Sequence, residues 1–355
     1  SRSHRVAVCT DGHHMLRAAR AAHVASPRTR RFASRSLSMR AITAAEQKLV
    51  LAEHPTPVPG EGQLLVDIHA TAVNRADILQ RCGHYPPPKG ATDILGLEMA
   101  GVVHGTDRRV MAILSGGGYA EQVALEEELL MDIPSSVTTT QAAAVPETWL
   151  TAYQLLFLVG KATAGDSVLI HAGASGVGIA ATQIAVRHGL RVFGTCSENK
   201  IKGCRGRGML DAFDYRAEGG FAPSLLSATG GRGVDVILDC VGAAHAEQSG
   251  KVLAQDGRWV LYGLMGGAKL PAGSTLLASL LSKRASLLTS TLRSRDVAYK
   301  AELTRQFAQN ELPHFASGEY KVVTDSTFPL EQAQEAHERV ESNLTEGKVV
   351  IRVRS

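Results

Sequence analysis

The chain has 355 residues, 44% of them hydrophobic and 20% charged, which excludes a disordered or fibrous protein and points to two ordinary domains. Much of the excess behind the formal charge of +4 sits in an arginine-rich stretch near the start, so the body is roughly neutral and lacks the basic-aromatic stripe of a nucleic-acid binder. Cys9, Cys82, Cys196, Cys204 and Cys240 are scattered without a C-x-x-C pair, against both a disulfide framework and a zinc ribbon, and no apolar run reaches the roughly 18 residues of a membrane span.

Residues 1–38 read as an extension. Met15 opens a stretch holding Arg17, Arg20, Arg28, Arg30, Arg31 and Arg35 with no acidic residue, the composition of a transit peptide. Arg30-Arg31-Phe32-Ala33-Ser34 resembles a mitochondrial processing site, which predicts a matrix location. A disordered basic tail, or a leader upstream of Met39 in a cytoplasmic protein, is the other reading. Folding is expected from about Met39.

Residues 64–72 alternate apolar and polar, the period of a half-buried strand. Gly/Pro-rich stretches at 55–62, 83–90 and 115–118 punctuate a turn-rich, antiparallel first part, and a helical connector is expected over 139–157. A strand at 167–172 precedes a glycine loop, a helix over 177–188 and a second strand at 191–195. Strands at 234–239, 259–262 and 286–289 then alternate with helical segments such as 243–254. Such alternation predicts an α/β protein with a doubly wound parallel sheet. A helix at 330–340 and a strand at 348–353 close the chain. The expected division is 39–155 for a β-rich catalytic domain, 156–295 for a nucleotide domain, and 296–355 for a return to the first.

The loop is Gly173-Ala174-Ser175-Gly176-Val177-Gly178. Backbone N–H groups at a helix N-terminus bind a pyrophosphate, and glycine allows close approach. The spacing is G-x-x-G-x-G rather than G-x-G-x-x-G, so the strand before and the helix after carry the assignment. An NAD site places an acid at the end of the second strand; here Ser197 and Lys200 follow it, and a hydroxyl and a cation suit the 2′-phosphate of NADPH. Glu198 objects to that reading unless it lies on the solvent face. Tyr215 is expected either to stack near the same phosphate or to be a packed sheet-end tyrosine.

Asn74-Arg75-Ala76-Asp77, Gly83-His84-Tyr85 with Pro86 to Pro88, Gly96-Leu97-Glu98-Met99-Ala100-Gly101, Gly165-Asp166, Gln183 and the run 256–267 together resemble the medium-chain dehydrogenase/reductase superfamily. Within it they resemble the zeta-crystallin-like quinone oxidoreductases, over 39–355. The runs 256–267 and 292–296 look most like the tumour-suppressor-inducible branch. The resemblance implies a GroES-like catalytic domain plus a Rossmann domain, a homodimer, and NADPH-dependent reduction of a quinone by hydride or electron transfer. Asn74 and Tyr85 would line the quinone pocket, Tyr85 donating a hydrogen bond to the developing phenolate. Ser175 would touch the cofactor from the loop, and the stretch holding Gly263 and Met265 would pass close to the nicotinamide. Zinc relatives carry histidine where this chain has Leu97, and a cysteine lobe that is absent here, so no metal is expected; His69, His84, His104 and His171 lack ligand spacing. The rival enzyme is an NADPH-dependent enone or enoyl-thioester reductase. The rival of another class is a non-enzymatic NADPH-binding protein, crystallin-like or RNA-binding. Two departures stand out: 103–110 is shorter than in relatives, and Gly203, Gly206 and Gly208 crowd a helical segment at roughly 1 kcal/mol each against alanine.

Overall fold

The computed structural model describes residues 38–354; the transit-peptide reading falls on the segment outside the described residues. The described chain opens with a hairpin of β1 (Ser38–Ala45) and β2 (Lys48–Pro55). Its turn residues Glu46 and Gln47 have φ of +50° and +62°, matching the tight turn whose twist suits two strands. Glu-Gln is not a turn signal, so patterning passes over it.

β3 (Gln63–Ala72) is the spine of the first domain. It pairs antiparallel with β4 (Glu98–Val103) and with β6 (Gln122–Glu126); β4 continues to β5 (Arg109–Ile113) and thence to β7 (Met131–Asp132). The short 103–110 segment leaves this ladder intact, with register running from Glu98 opposite Ile113 to Val102 opposite Arg109. Alternation along β5 decides which core each side chain joins. Val110 and Ala112 enter the core of the first domain, while Met111 and Ile113 enter one shared with the second.

The connector expected over 139–157 is not one helix. It stops after Ala142, restarts at Pro146 as Pro146–Tyr153, and ends in a wider π turn over Gln154–Val159. Proline has no N–H to give the preceding turn and fits the first position of a new helix.

The second sheet comprises β8 (Ser167–Ile170), β9 (Arg191–Cys196), β10 (Asp211–Asp214), β11 (Val234–Asp239), β12 (Leu253–Leu261) and β13 (Ser286–Thr289). Their spatial order is β10-β9-β8-β11-β12-β13, all parallel. Val168, Ile170, Val236 and Leu238 face one core, whereas Leu169 and Ile237 face the other, as a parallel sheet covered on both faces requires. The helix expected over 243–254 ends at Val252, and β12 starts six residues before the predicted 259. A short apolar stretch fits both periods, which is why spacing misplaced the boundary. The glycine-crowded helix is only Ile201–Gly206, and Gly208 turns away at φ +106°.

The tail returns to the first sheet. β14 (Thr324–Pro329) and the helix Ala333–Glu341 precede β15 (Lys348–Arg352), which pairs antiparallel with β3 and parallel with β14. No helix among the described residues is long and apolar enough to cross a membrane.

Candidate active site

The parallel sheet reverses its strand order between β8 and β11, so a crevice opens beyond their carboxyl ends. The glycine loop lies there. Ser175 is the N-cap of the helix Gly176–Arg187, and its Oγ accepts the Gly178 N–H at 3.1 Å. The Val177 N–H has no protein acceptor among the described residues, while that of Gly176 faces the Gly347 carbonyl across the bridge between Ser175 and Gly347, which leaves the Val177 N–H at the positive end of the helix for an anion. The glycines are sterically required for different reasons. A Cβ on Gly178 would lie 2.5 Å from the Ala172 carbonyl oxygen; on Gly173, 2.7 Å from the Met209 methyl; on Gly176, 2.7 Å from Lys348 Cδ. The loop residues therefore fit a dinucleotide pyrophosphate.

Beyond β9, Ser197 is part-exposed and Glu198 exposed. Tyr215 is brought beside them by its N–H to the Cys196 carbonyl at 3.3 Å, and is part-buried with its ring 5.6 Å from that of His245. Lys200 departs from expectation. It is 8% exposed and donates to the carbonyls of Asn343 and Thr345, both at 2.8 Å, so two of its three donors anchor the tail instead of standing free. The cation that is exposed here is Arg216, with its guanidinium 5.0 Å from the centre of the Tyr215 ring. Sequence reasoning missed it, although it directly follows Tyr215.

Gly263 and Met265 sit on the loop after β12. The Met265 N–H is bonded to the Cys240 carbonyl at 3.0 Å, and a Cβ on Gly263 would press within 2.9 Å of that same oxygen. Met265 itself is 53% exposed at the mouth of the crevice, an apolar side chain available to cover a ligand.

On the facing wall, Asn74 caps the helix Arg75–Arg81. Its amide is fully used: Nδ2 donates to Glu98 Oε1 at 2.9 Å, and Oδ1 accepts from Lys348 Nζ at 2.6 Å. Lys348 also bonds the Val73 carbonyl at 2.9 Å and pairs with Glu98 at 2.8 Å, with side chains 6% and 0% exposed. Asn74 is part-exposed, and its amide fixes a buried ion pair. Glu98 Oε2 accepts the backbone N–H of Glu147 at 2.9 Å. Glu147 and Lys348 escaped sequence reasoning, the first because it was absorbed into an apparently continuous helix, the second because it starts an apolar strand; the acid directly after Pro146 was the available signal.

Tyr85 is half-buried beneath the Arg293 guanidinium, 5.3 Å from its ring centre. Arg293 is held by the Ser115 carbonyl at 2.9 Å and Gln80 Oε1 at 2.7 Å, and Lys300 reaches Ser115 Oγ at 2.7 Å. Burial first, and the carboxyl of Glu147 second, push the Tyr85 hydroxyl above its ordinary value, Arg293 pulling the other way. The phenol therefore stays protonated and able to donate. A cavity of about 580 Å³ shares Ser115, Arg293 and Lys300 with this wall, but Tyr85 and Asn74 do not line it.

A doubly wound sheet with an anion-binding glycine loop, facing a β-rich domain whose wall carries a phenol and carboxyls, defines a two-domain, dinucleotide-dependent oxidoreductase. Residues 60–135 match the alcohol dehydrogenase GroES-like domain, and 208–351 match the zinc-binding dehydrogenase family. Quinone oxidoreductase of Mus musculus is 31% identical over 297 residues, covering 80% of this chain and 87% of its own. The quinone oxidoreductase of Thermus thermophilus, solved with and without NADPH, superposes with a TM-score of 0.75 at 29% identity, over 89% of this chain and 100% of that one. JamJ enoyl reductase does so with a TM-score of 0.77 at 25% identity, over 89% and 99%. The chain belongs to the quinone oxidoreductase family of the medium-chain dehydrogenases/reductases, and it is an enzyme.

The family model's name raises zinc. Leu97 is 1% exposed and apolar, Glu98 is committed to Lys348, and among the described residues no three His, Cys, Asp or Glu side chains form a ligand group. The residues present do not fit a metal ion.

Lys348→Met would strand the Glu98 carboxylate in a dry site. The variant is expected to lose about 3–5 kcal/mol in chemical denaturation; a loss below about 1 kcal/mol, the scale of an exposed pair, contradicts the network described.

Proposed function

We propose that the chain reduces quinones with NADPH, without zinc, as a homodimer. The observation that carries this reading is the half-buried Tyr85 phenol, seated under the Arg293 guanidinium on a wall where the apolar Leu97 offers no metal ligand. When bound, the dinucleotide supplies a hydride. The glycine loop, with Ser175, Gly176, Val177 and Gly178, holds its pyrophosphate, and Gly263 and Met265 cover the nicotinamide. Tyr85 donates to the acceptor oxygen as charge develops there. A quinone is electrophilic enough to need no Lewis acid. Asn74 serves as a positioning residue. Ser197, Tyr215 and Arg216, with the remaining donor of Lys200, receive the 2′-phosphate, and the exposed Glu198 points to solvent.

The likeness to an enoyl reductase supports a second reading, reduction of activated C=C bonds on the same scaffold. The homodimer is supported by the sheet edge: Leu277, Leu281 and Leu287, on the helix Leu276–Ser282 and on β13, are 78%, 82% and 47% exposed, an apolar strip suited to a second copy.

Purified protein is expected to oxidise NADPH with an ortho- or para-quinone, and chelators are expected to leave the rate unchanged. Turnover of an enone with no quinone reduction would establish the second reading instead. Binding of NADPH with reduction of neither would mark a non-enzymatic protein. Arg216→Ala is expected to weaken NADPH about tenfold while sparing NADH; equal loss for both would remove Arg216 from the phosphate site.

A further inference from the structure

Three carboxyls, Asp77, Glu98 and Glu147, meet at the cleft wall, and one ammonium, Lys348, is directly paired within the group. Glu98 takes that ammonium, the Asn74 amide and the Glu147 backbone N–H. Asp77 Oδ2 accepts the Asn74 N–H at 2.8 Å, and Oδ1 accepts the Gly96 N–H at 3.2 Å. Glu147 is left with neither: its Oε2 is buried with no hydrogen-bond partner, while the residue as a whole stays part-exposed.

A charged carboxylate with an orphaned buried oxygen beside an occupied carboxylate is costly. A protonated acid at the same place is not. We propose that Glu147 is a catalytic acid of this site, delivering the proton that completes reduction of the acceptor beside Tyr85. The inference rests on the reading of the chain as a reductase of conjugated carbonyls.

The charged groups facing Glu147 come from every neighbouring element: Glu98 of β4, Asp77 of the helix Arg75–Arg81, Lys348 of β15, Lys300 of the helix Val297–Asn310, and Tyr85 and Arg293 on the same wall. Burial first, then repulsion from Glu98, holds the Glu147 carboxyl up at about 8, with Lys348 and Lys300 opposing. The step balances. The two-electron hydride reaches the acceptor and leaves an oxyanion; the Glu147 O–H bond breaks as an O–H bond forms on that oxygen. Glu147 is left as a carboxylate, and solvent returns the proton before the next turnover.

The test compares wild type with Glu147→Gln, which keeps shape and removes the acid. Two readouts are taken between pH 5 and 9: melting temperature of the free protein, and kcat with NADPH and either 1,2-naphthoquinone or an enone. Because the folded carboxyl titrates above its unfolded value near 4.5, wild type loses stability as pH rises through about 8. The variant does not, so its melting advantage grows with pH. In turnover, kcat of the wild type falls above about pH 8. Glu147→Gln removes that limb and lowers kcat on the order of 100-fold at pH 7, leaving both KM values within twofold.

A melting gap independent of pH overturns the proposal, and so does a variant that keeps the limb or the rate. Loss appearing mainly in KM also overturns it, leaving Glu147 a positioning residue. A wild type inert with every acceptor overturns the reductase reading and the proposal with it, so the two failures are distinct.

Discussion

The buried pair between Lys348 and Glu98 is the constraint on which the site depends. It joins the last strand of the chain to β4, uses the Asn74 amide to cap both partners, and rests its methylenes where a side chain on Gly176 would otherwise stand. An ion pair in such surroundings returns little net stability, because both charges leave water. Its return is registration. The tail ties the glycine loop to the cleft wall, and the Gly347 N–H bonded to the Ala174 carbonyl at 3.0 Å makes the same tie from the backbone side.

Burial, more than that pair, shifts the protonation of the neighbouring carboxyls. With Glu98 already satisfied by the one directly bonded ammonium, Asp77 is pushed up to about 6 by burial, against its backbone hydrogen bonds, and Glu147 higher still. At neutral pH the wall thus holds one acid, Glu147, and one phenol donor, Tyr85. The side chain at position 97, a buried leucine, offers no metal ligand beside them.

Much of this was legible in the sequence. The period-2 run of β3, the strand, glycine loop and helix succession, and the closing strand follow from side-chain periodicity and from the demands of a pyrophosphate on its loop, and the structure has them close to where they were expected. Boundaries went wrong where one apolar stretch fits two periods, as at 253–259, or where a proline restarts a helix, as at Pro146. Site residues were legible when one local motif carries the chemistry, as in 173–178. They were not when the chemistry is made by distant segments: nothing local says that Lys348 meets Glu98, that Glu147 stands near Tyr85, or that Lys200 turns its ammonium to the tail carbonyls.

The central claim is that one closed network sets the nicotinamide against the Tyr85 wall. The most direct measurement is a crystal structure of the full chain with NADPH. The expected result has a pyrophosphate oxygen on the Val177 N–H, the nicotinamide between the Gly263–Met265 loop and Tyr85, and an intact Lys348–Glu98 pair. A nicotinamide bound away from Tyr85, or a cofactor that breaks the Lys348–Glu98 pair to enter, would contradict it.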